Sequence, residues 1–432
     1  MRCRSDTCRS DKRRRYSRFL AGGVVVVAST LACAACGSSG SGGSGGGTAS
    51  GGSVPVGCET DLTGTYATFG AQALQGCQAG TYAVNHAGGV DGGQMIKLIP
   101  ADDASDPVDA VAPAEKLVNV SHIVAQDGEA GTNAQAIATI FTRAHLPFMM
   151  GGGDVFYDKN ANPYIWRISP SDSQLGVAMA LWAHHRGYTR AAVLFRTGDV
   201  AQSIIPVVTK AFQKLGGTIV SSQIIQADLS SYSSEISKLL SSHPQVIFSE
   251  MDPPTETVVF KDLAAAGSNN LPTIGTDDMV GSAMLKGIGI PAARKLMTNV
   301  EAGTFKSPAL PFYLKAVQAS SHQAPQAGSQ NTYDGMLIWA LAADMAKSTD
   351  GATVNADIPK VTAPGGVPVY SYAQGLKELK AGKRITYIGA SGPFDFNHYH
   401  NIFGPFDAVV ATPAGGYKTL YTLTPQALKA IS

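Results

Sequence analysis

The sequence predicts an α/β protein built from two doubly wound parallel sheets. Short apolar strands alternate with longer helical stretches, and this rhythm, typical of a parallel sheet covered on both faces, runs through the chain twice. The body from Val54 to Ser432 is long enough for two cores, since a single core stops growing at about 250 to 300 residues. Hydrophobic residues make up 44% of the chain and charged residues 15%, which is typical of a globular protein.

Residues 1–35 have the order of a secretion signal. Basic residues crowd the stretch from Arg2 to Arg18, an apolar run follows from Phe19 to Ala32, and small residues come next. The apolar run is about 14 residues long, whereas a membrane-spanning helix needs roughly 20. The sequence therefore favours an export signal over a retained anchor helix.

A cysteine and a Gly/Ser stretch follow this signal. The segment Ala34-Ala35-Cys36 resembles the lipobox of bacterial lipoprotein signals, in which the cysteine is lipidated. Residues 36–53 are nearly all Gly and Ser after the cysteine, which predicts a flexible tether. We therefore expect Cys36 to anchor the protein at the outer face of the cytoplasmic membrane. The alternative is an ordinary cleaved signal followed by a disordered tail.

Cys58 and Cys77 are the two cysteines of the predicted globular body. In an oxidising compartment such a pair predicts one disulfide. Metal binding is the less favoured interpretation, because no second pair of ligands stands at the spacing of a zinc finger.

The charge balance argues against nucleic acid as a partner. The formal net charge of the whole chain is +1, and the concentration of basic residues before Phe19 leaves a mildly acidic body without a basic stripe.

Two common catalytic motifs, G-x-S-x-G and H-E-x-x-H, are absent from the sequence. We expect no enzyme, and neither a metal nor another cofactor.

The first unit alternates strands and helices. Gly88-Gly89 is a stop signal for its first helix. The predicted elements are a strand at Val54–Cys58, a helix at Tyr66–Asn85, a strand at Met95–Pro100, a helix at Pro107–Asn119, a strand at His122–Gln126, a helix at Asn133–Ala144 and a strand at Leu146–Met150.

The second unit repeats this rhythm. The predicted elements are helices at Asp172–Arg186, Ala201–Leu215, Tyr232–Ser242 and Thr255–Ala266, and strands at Ala191–Phe195, Thr218–Gln226, Val246–Glu250, Thr273–Gly275 and Leu296–Val300. Ligands of such sheets sit beyond the carboxyl ends of the strands, so the loops after the strands are where function is expected.

The last part of the chain has a different pattern. Two helices are predicted, at Pro311–Ala319 and Asn331–Lys347. Three antiparallel strands are then predicted: an edge strand near Phe394–Phe396, and strands at Phe406–Ala411 and Tyr417–Leu423.

Several ordered stretches resemble the type I periplasmic binding proteins. VPVGCETDLTGTYATFGAQALQG resembles their opening strand, turn and first helix, and GGVDGGQMIKLIPADDASDP resembles the segment that follows. NTYDGMLIWALAADMAKS and GPFDFNHYHNIFGPFDAVV resemble their late helix and C-terminal hairpin. The resemblance covers about residues 54–425 and is nearest to the Leu/Ile/Val-binding proteins of ABC importers.

The resemblance implies two lobes joined by three crossings, with a ligand captured between them by hinge closure. One lobe would hold residues 54–170 and 302–388, and the other residues 171–301 and 389–432. The implied function is that of an extracytoplasmic lipoprotein that binds an amino acid or a related amide or carboxylate, with an ABC permease and ATPase as partners. The alternative is an exported sensing module of the same fold that signals to a receptor.

The resemblance also implies ligand-binding residues in the first lobe. Gly131, Thr132 and Asn133 would meet the ligand carboxylate, which suits a helix N-terminus because its first N–H groups lack helical partners. The alternative is that Thr132 or Asn133 merely caps its own helix. Gly152, Gly153 and Asp154 would offer backbone contacts to the ligand. The alternative is that this stretch is a flexible turn. Phe69 would lie over the ligand.

Asp277 stands where amino-acid-binding relatives bind the ligand ammonium. A buried carboxylate needs a cationic partner, which a ligand amine would supply. The competing interpretation is that Asp277 or its neighbour Asp278 caps a following helix. The position that is often Tyr in the second lobe lies near Val200 here, so the identity of the solute stays open.

Overall fold

A computed structural model describes residues 52–128, 133–303 and 305–431. Its first part alternates strands with helices, as predicted. The elements are β1 (Ser53–Thr60), α1 (Ala67–His86), β2 (Met95–Asp102), α2 (Val111–Asn119), β3 (Gln126–Gly128), α3 (Ala134–Arg143), β4 (Phe148–Met150) and β5 (Ile165–Arg167). These strands form a parallel sheet in the order β2-β1-β3-β4-β5.

The second part repeats the pattern. Its elements are α4 (Asp172–His185), β6 (Arg190–Arg196), α5 (Asp199–Lys214), β7 (Thr218–Ile225), α6 (Ser233–Ser241), β8 (Val246–Glu250), α7 (Pro253–Ala265), β9 (Thr273–Gly275), α8 (Ser282–Ile288), α9 (Ile290–Leu296) and β10 (Met297–Ala302). A short 3-10 turn, Asp277–Met279, separates β9 from α8.

The third part first packs against the elements of the first sheet, with β11 and β12 as a separate two-stranded sheet, and then adds two strands to the second sheet. Its elements are α10 (Leu310–Ser321), α11 (Ser329–Ala346), α12 (Gly351–Asn355), α13 (Ile358–Thr362), β11 (Val367–Val369), α14 (Tyr372–Lys380), β12 (Ile385–Tyr387), β13 (Phe406–Ala411), β14 (Tyr417–Leu423) and α15 (Pro425–Ile431). The second sheet has the order β14-β13-β10-β9-β8-β6-β7, and its edge at β13 and β14 is antiparallel.

The chain therefore crosses between the two sheets three times, after β5, after β10 and after β12. This confirms the predicted α/β architecture. We call the part that carries the five-stranded sheet the first lobe and the part that carries the seven-stranded sheet the second lobe. The lobe limits given above stay a prediction.

Helix α11 is the centre of the first lobe. Most of its residues are buried on every side, among them Leu337, Trp339 and Leu341, and they pack in one cluster with Met149 and Trp166 of the sheet. A helix that is apolar all round belongs in a core, because it has no face to offer to water. Each fully buried Leu side chain contributes about 1.5–3 kcal/mol to the stability of the folded state. This packing holds α11 against strands that lie far earlier in the sequence.

A disulfide joins Cys58 of β1 to Cys77 of α1, and their Cα atoms lie 6.7 Å apart. Both residues are fully buried. The predicted pairing is therefore present, and it fastens the first helix to the first strand, on which it packs.

Two predicted strands differ from the structure. The strand expected at His122–Gln126 begins later, because His122 has a φ of 50°, which a strand does not allow. No strand forms at Phe394–Phe396, where the N–H of Phe396 donates to the carbonyl of Phe394 in a tight turn. The spacing of these two aromatic residues reflects packing, since Phe396 meets Trp166 and Phe394 is buried in the first-lobe core.

Within the described residues, no helix combines the length and the apolar character that crossing a membrane requires.

Candidate ligand-binding site

The carboxyl ends of the strands in the two lobes face one another, and a hydrogen bond joins them. Arg196, the last residue of β6, donates from Nη2 to the hydroxyl of Tyr66 at 3.3 Å. Tyr66 lies just before α1 in the first lobe. Phe69 is in the first turn of α1, with its ring centroid 6.3 Å from that of Tyr66. The cleft predicted between the lobes is therefore bridged at this point.

Carboxylates surround Arg196 on the second lobe. Its Nε donates to Glu250 Oε1 at 3.1 Å and lies 3.6 Å from Asp252 Oδ2. Glu250 ends β8 and is buried. Burial raises the pKa of Glu250 to about 8, and the nearby charge of Asp278 acts in the same direction. This wall of the cleft holds more carboxylates than cations.

Asp277 lies on the same wall, in the 3-10 turn after β9. Burial raises its pKa well above the usual range, and the carboxylates of Asp278 and Asp172 raise it further. Among the ion pairs of the described residues, none includes Asp277. The residue at the N-cap of α8 is Gly281. Neither Asp277 nor Asp278 therefore caps the helix that follows them.

Asp172 brings the first-lobe turn against this wall. It begins α4, and its N–H donates to the carbonyl of Gly153 at 2.8 Å. A Cβ at position 153 would overlap the Asp172 carboxylate in its present position, so glycine permits this close approach. Burial raises the pKa of Asp172 to about 7. The glycine predicted to admit a ligand therefore admits a carboxylate of the protein.

The neighbours of Gly153 have local roles. Gly152 is buried beside it. Asp154 accepts hydrogen bonds from the N–H of Phe156 at 2.8 Å and from Gln135 Nε2 at 2.5 Å. The second bond ties the turn to the first turn of α3.

Asn133 stands at the N-cap of α3 and is fully buried. Its side chain does not cap the helix, and neither of its polar side-chain atoms has a hydrogen-bond partner among the described residues. Asn133 is therefore free of the structural role that was the alternative to ligand binding. Gly131, Thr132 and Cys36 lie outside the described residues, and their roles stay predictions.

Three further carboxylates lie at the carboxyl ends of β1 and β2, namely Glu59, Asp61 and Asp103. All three are buried. Burial, with help from the charge of Asp103, raises the pKa of Glu59 to about 9 and that of Asp61 to about 7. In the described part of the chain, no three His, Cys, Asp or Glu side chains converge as metal ligands would.

The family described as periplasmic binding protein matches residues 53–404. This chain belongs to that family. The match makes it an extracytoplasmic binding protein and not an enzyme, and confirms the family resemblance predicted from its motifs.

Individual relatives resemble this binding protein at moderate identity. An amino acid binding protein of Pseudomonas aeruginosa is 40% identical over 75 residues, which are 17% of this chain and 20% of that protein. The Leu/Ile/Val-binding protein homolog 3 of Brucella melitensis biotype 1 is 22% identical over 315 residues, which are 69% of this chain and 80% of that protein. The first of these two matches thus spans a fifth of its relative.

Solved structures share the fold. A leucine binding protein from Thermotoga maritima superposes with a TM-score of 0.71 at 17% identity, covering 86% of this chain and 99% of that one. A solute binding protein of an ABC transporter from R. palustris, in complex with benzoate, superposes with a TM-score of 0.68 at 18% identity, covering 87% and 97%. These likenesses confirm the two-lobed type I architecture.

The site contains residues that the sequence reasoning did not select. Tyr66, Arg196, Glu250 and Asp172 are the main ones. Arg196 and Glu250 are the last residues of their strands. The rule that ligands sit beyond the carboxyl ends of parallel strands could have found both. Tyr66 and Asp172 carried no such signal, because their roles depend on a partner in the other lobe or in a neighbouring turn.

The buried carboxylic acids predict an unusual pH dependence of stability. When the pKa of an acid is higher in the folded state than in the unfolded state, the folded protein holds a proton that the unfolded chain releases. The contribution of that acid to the free energy of unfolding is therefore lost as pH rises towards the folded-state pKa. For Glu59 the window runs from about 4.5 to about 9. Between pH 6 and 7 Glu59 alone lowers the free energy of unfolding by about 1.4 kcal/mol. Urea unfolding of the ligand-free protein at both pH values tests this, and equal or greater stability at pH 7 would contradict it.

Proposed function

We propose that this protein captures an amine-bearing small solute, with an amino acid as the favoured class, and delivers it to an ABC importer. The observation that carries the proposal is Asp277, whose electrostatic neighbours at the cleft are the carboxylates of Asp278, Asp172 and Glu301. Burying an ionised carboxylate without a cation is costly. A ligand ammonium supplies the missing charge.

The N-terminus of α3 suits the other end of an amino acid. Asn133 presents an amide without a hydrogen-bond partner there, and the first N–H groups of a helix favour an anion. Ligand carboxylate at α3 and ligand ammonium at Asp277 would engage both lobes at once. Closure around the ligand then excludes water and strengthens both interactions, since charges attract more strongly in a medium of low dielectric constant.

The Tyr66–Arg196 hydrogen bond supports closure as the mechanism of capture. It joins the two lobes directly, at the carboxyl ends of their strands. A lipid on Cys36 and the Gly/Ser tether would keep the binding protein near an importer in the membrane, with its permease and ATPase as partners. The relatives, which include an amino acid binding protein and Leu/Ile/Val-binding protein homologues, support an amino acid as the solute class.

Thermal unfolding of the exported protein with a panel of amino acids, amides and aromatic acids tests the proposal. A ligand at about 100 times its dissociation constant adds about 2.7 kcal/mol to the stability of the folded state. Stabilisation by amino acids supports the proposed function. Stabilisation only by acids that lack an amine, such as benzoate, keeps the binding role and overturns the ammonium site.

Replacing Asp277 with asparagine is expected to weaken the binding of an amine-bearing ligand at least about tenfold, because a buried charge pair loses one partner. Isothermal titration calorimetry of the wild type and of Asp277→Asn measures the change. Asp228→Asn is the matched control, since Asp228 is an exposed second-lobe residue whose φ of 57° asparagine tolerates. Unchanged affinity in Asp277→Asn removes this residue from the site.

A further inference from the structure

The first lobe holds a second group of carboxylates that the proposed amino acid site does not use. Asp61 follows β1, and Asp103 follows β2. The two strands are neighbours, with Thr60 paired to Asp102, so these aspartates come together at one edge of the sheet. They are 1% and 0% exposed, and no ion pair among the described residues includes either of them.

Two buried polar side chains without partners point to the same place. Both carboxylate oxygens of Glu59, and both the oxygen and the nitrogen of the Asn133 amide, lack hydrogen-bond partners among the described residues. Both residues are 0% exposed. Glu59 lies within electrostatic range of Asp103, and Asn133 lies beside Asp103. Buried polar groups are almost always satisfied in folded proteins, so the Glu59 carboxylate, which has no hydrogen-bond partner among the described residues, points to a missing partner near Asp103.

This group is connected to the proposed ammonium site. Asn133 at the N-cap of α3 is two positions from Gln135, which donates a hydrogen bond to Asp154 at 2.5 Å. Asp154 lies within electrostatic range of Asp172, and Asp172 within range of Asp277. One hydrogen bond and two electrostatic interactions thus connect the start of α3, which lies beside Asp103, with Asp277.

We propose that the solute carries a second cationic group, an ammonium or a guanidinium, and that Asp61 and Asp103 bind it while Asp277 binds the α-ammonium. This inference rests on the proposed function and names its substrate class, the basic amino acids. An aliphatic side chain would leave the first-lobe carboxylates unpaired. A cation placed among them can donate charge-assisted hydrogen bonds to several carboxylate oxygens at once.

The buried acids also predict how binding is coupled to protons. Without a cation, burial favours the protonated acids, and it raises the pKa of Asp61 to about 7 and that of Glu59 to about 9. An arriving cation stabilises the ionised form instead, so protons leave the site when the ligand enters. A neutral side chain of the same length gives no release from these first-lobe acids.

Lysine and norleucine provide the test, because they share the α-amino acid part and differ at the end of the side chain. We expect calorimetry at pH 7 to show lysine binding at least tenfold more tightly than norleucine to the exported protein. Titrations in two buffers of different ionisation enthalpy should show more protons released with lysine than with norleucine, because both ligands bring an α-ammonium to Asp277 and only lysine brings a second cation. The variants Asp103→Asn and Asp61→Asn should each weaken the binding of lysine by more than they weaken the binding of norleucine, with Asp228→Asn as the control.

The outcomes separate this inference from the proposed function. Norleucine binding as tightly as lysine overturns the second cation site and leaves an amino acid site in place. A lysine preference that survives in both variants also overturns the assignment of Asp61 and Asp103. Failure of both ligands to bind overturns the inference together with the proposed amino acid function. Because the wild-type comparison stands by itself, a variant that does not fold does not remove the test.

Discussion

Replacing Asp334 with alanine is expected to lower the free energy of unfolding by at least about 3 kcal/mol. Asp334 is fully buried on α11, and its carboxylate accepts hydrogen bonds from the hydroxyl of Tyr387 at 2.7 Å, from the N–H of Ala390 at 2.9 Å and from the N–H of Ser391 at 2.7 Å. Each buried donor left without an acceptor costs about 1–3 kcal/mol. The carboxylate therefore fastens the start of the third crossing to the core helix of the first lobe.

Urea unfolding of the wild type and of Asp334→Ala measures this loss. Asp334→Asn is the matched comparison, because its amide keeps the size of the side chain and one acceptor oxygen, so its loss should be smaller. A loss below about 1 kcal/mol in the alanine variant would show that these donors find other partners, and would contradict the anchoring role of Asp334.

Asp334 also shows the limit of sequence reasoning for this fold. The helical pattern around it predicts α11, because a long helical stretch is visible from local periodicity alone. Its partners Tyr387, Ala390 and Ser391 lie 53 to 57 positions further along the chain. Nothing local indicates that a carboxylate in an apolar helix serves a turn so distant in sequence.

The strand order sets a similar limit for the candidate site. The alternation of strands and helices predicts most strands, since each is a short apolar run bounded by turn residues. It does not say that β2 lies beside β1, and that neighbourhood is what gathers Asp61 and Asp103. The link between Tyr66 and Arg196 joins positions 130 apart in different lobes.

The family resemblance assigns Asp277 and Asn133 to ligand contacts, and these assignments stay predictions. The structure gives Asp277 carboxylates as electrostatic neighbours, and the Asn133 amide has no hydrogen-bond partner within the described residues. Gly153 shows the opposite case. Its close contact is with Asp172 of the protein itself, which a motif cannot reveal because the two residues belong to different elements.

Removing the disulfide is the second change with a large expected effect. The double variant Cys58→Ala, Cys77→Ala should lose about 3 kcal/mol of stability in the chain-entropy model, because the bond closes a loop with a sequence separation of 19 in the unfolded chain. Alanine is chosen over serine because both positions are fully buried, and alanine adds no polar group to the core.

Urea unfolding with and without a reductant separates the bond from the side chains that make it. Reductant should destabilise the wild type by about the same 3 kcal/mol and leave the double variant unaffected. A stabilising role for this bond would be contradicted if reductant left the free energy of unfolding of the wild type unchanged and the wild type were no more stable than the double variant. If the loss is found, β1 and α1 depend on oxidation for part of their stability, which fits a protein whose family works outside the cytoplasm, where such bonds persist.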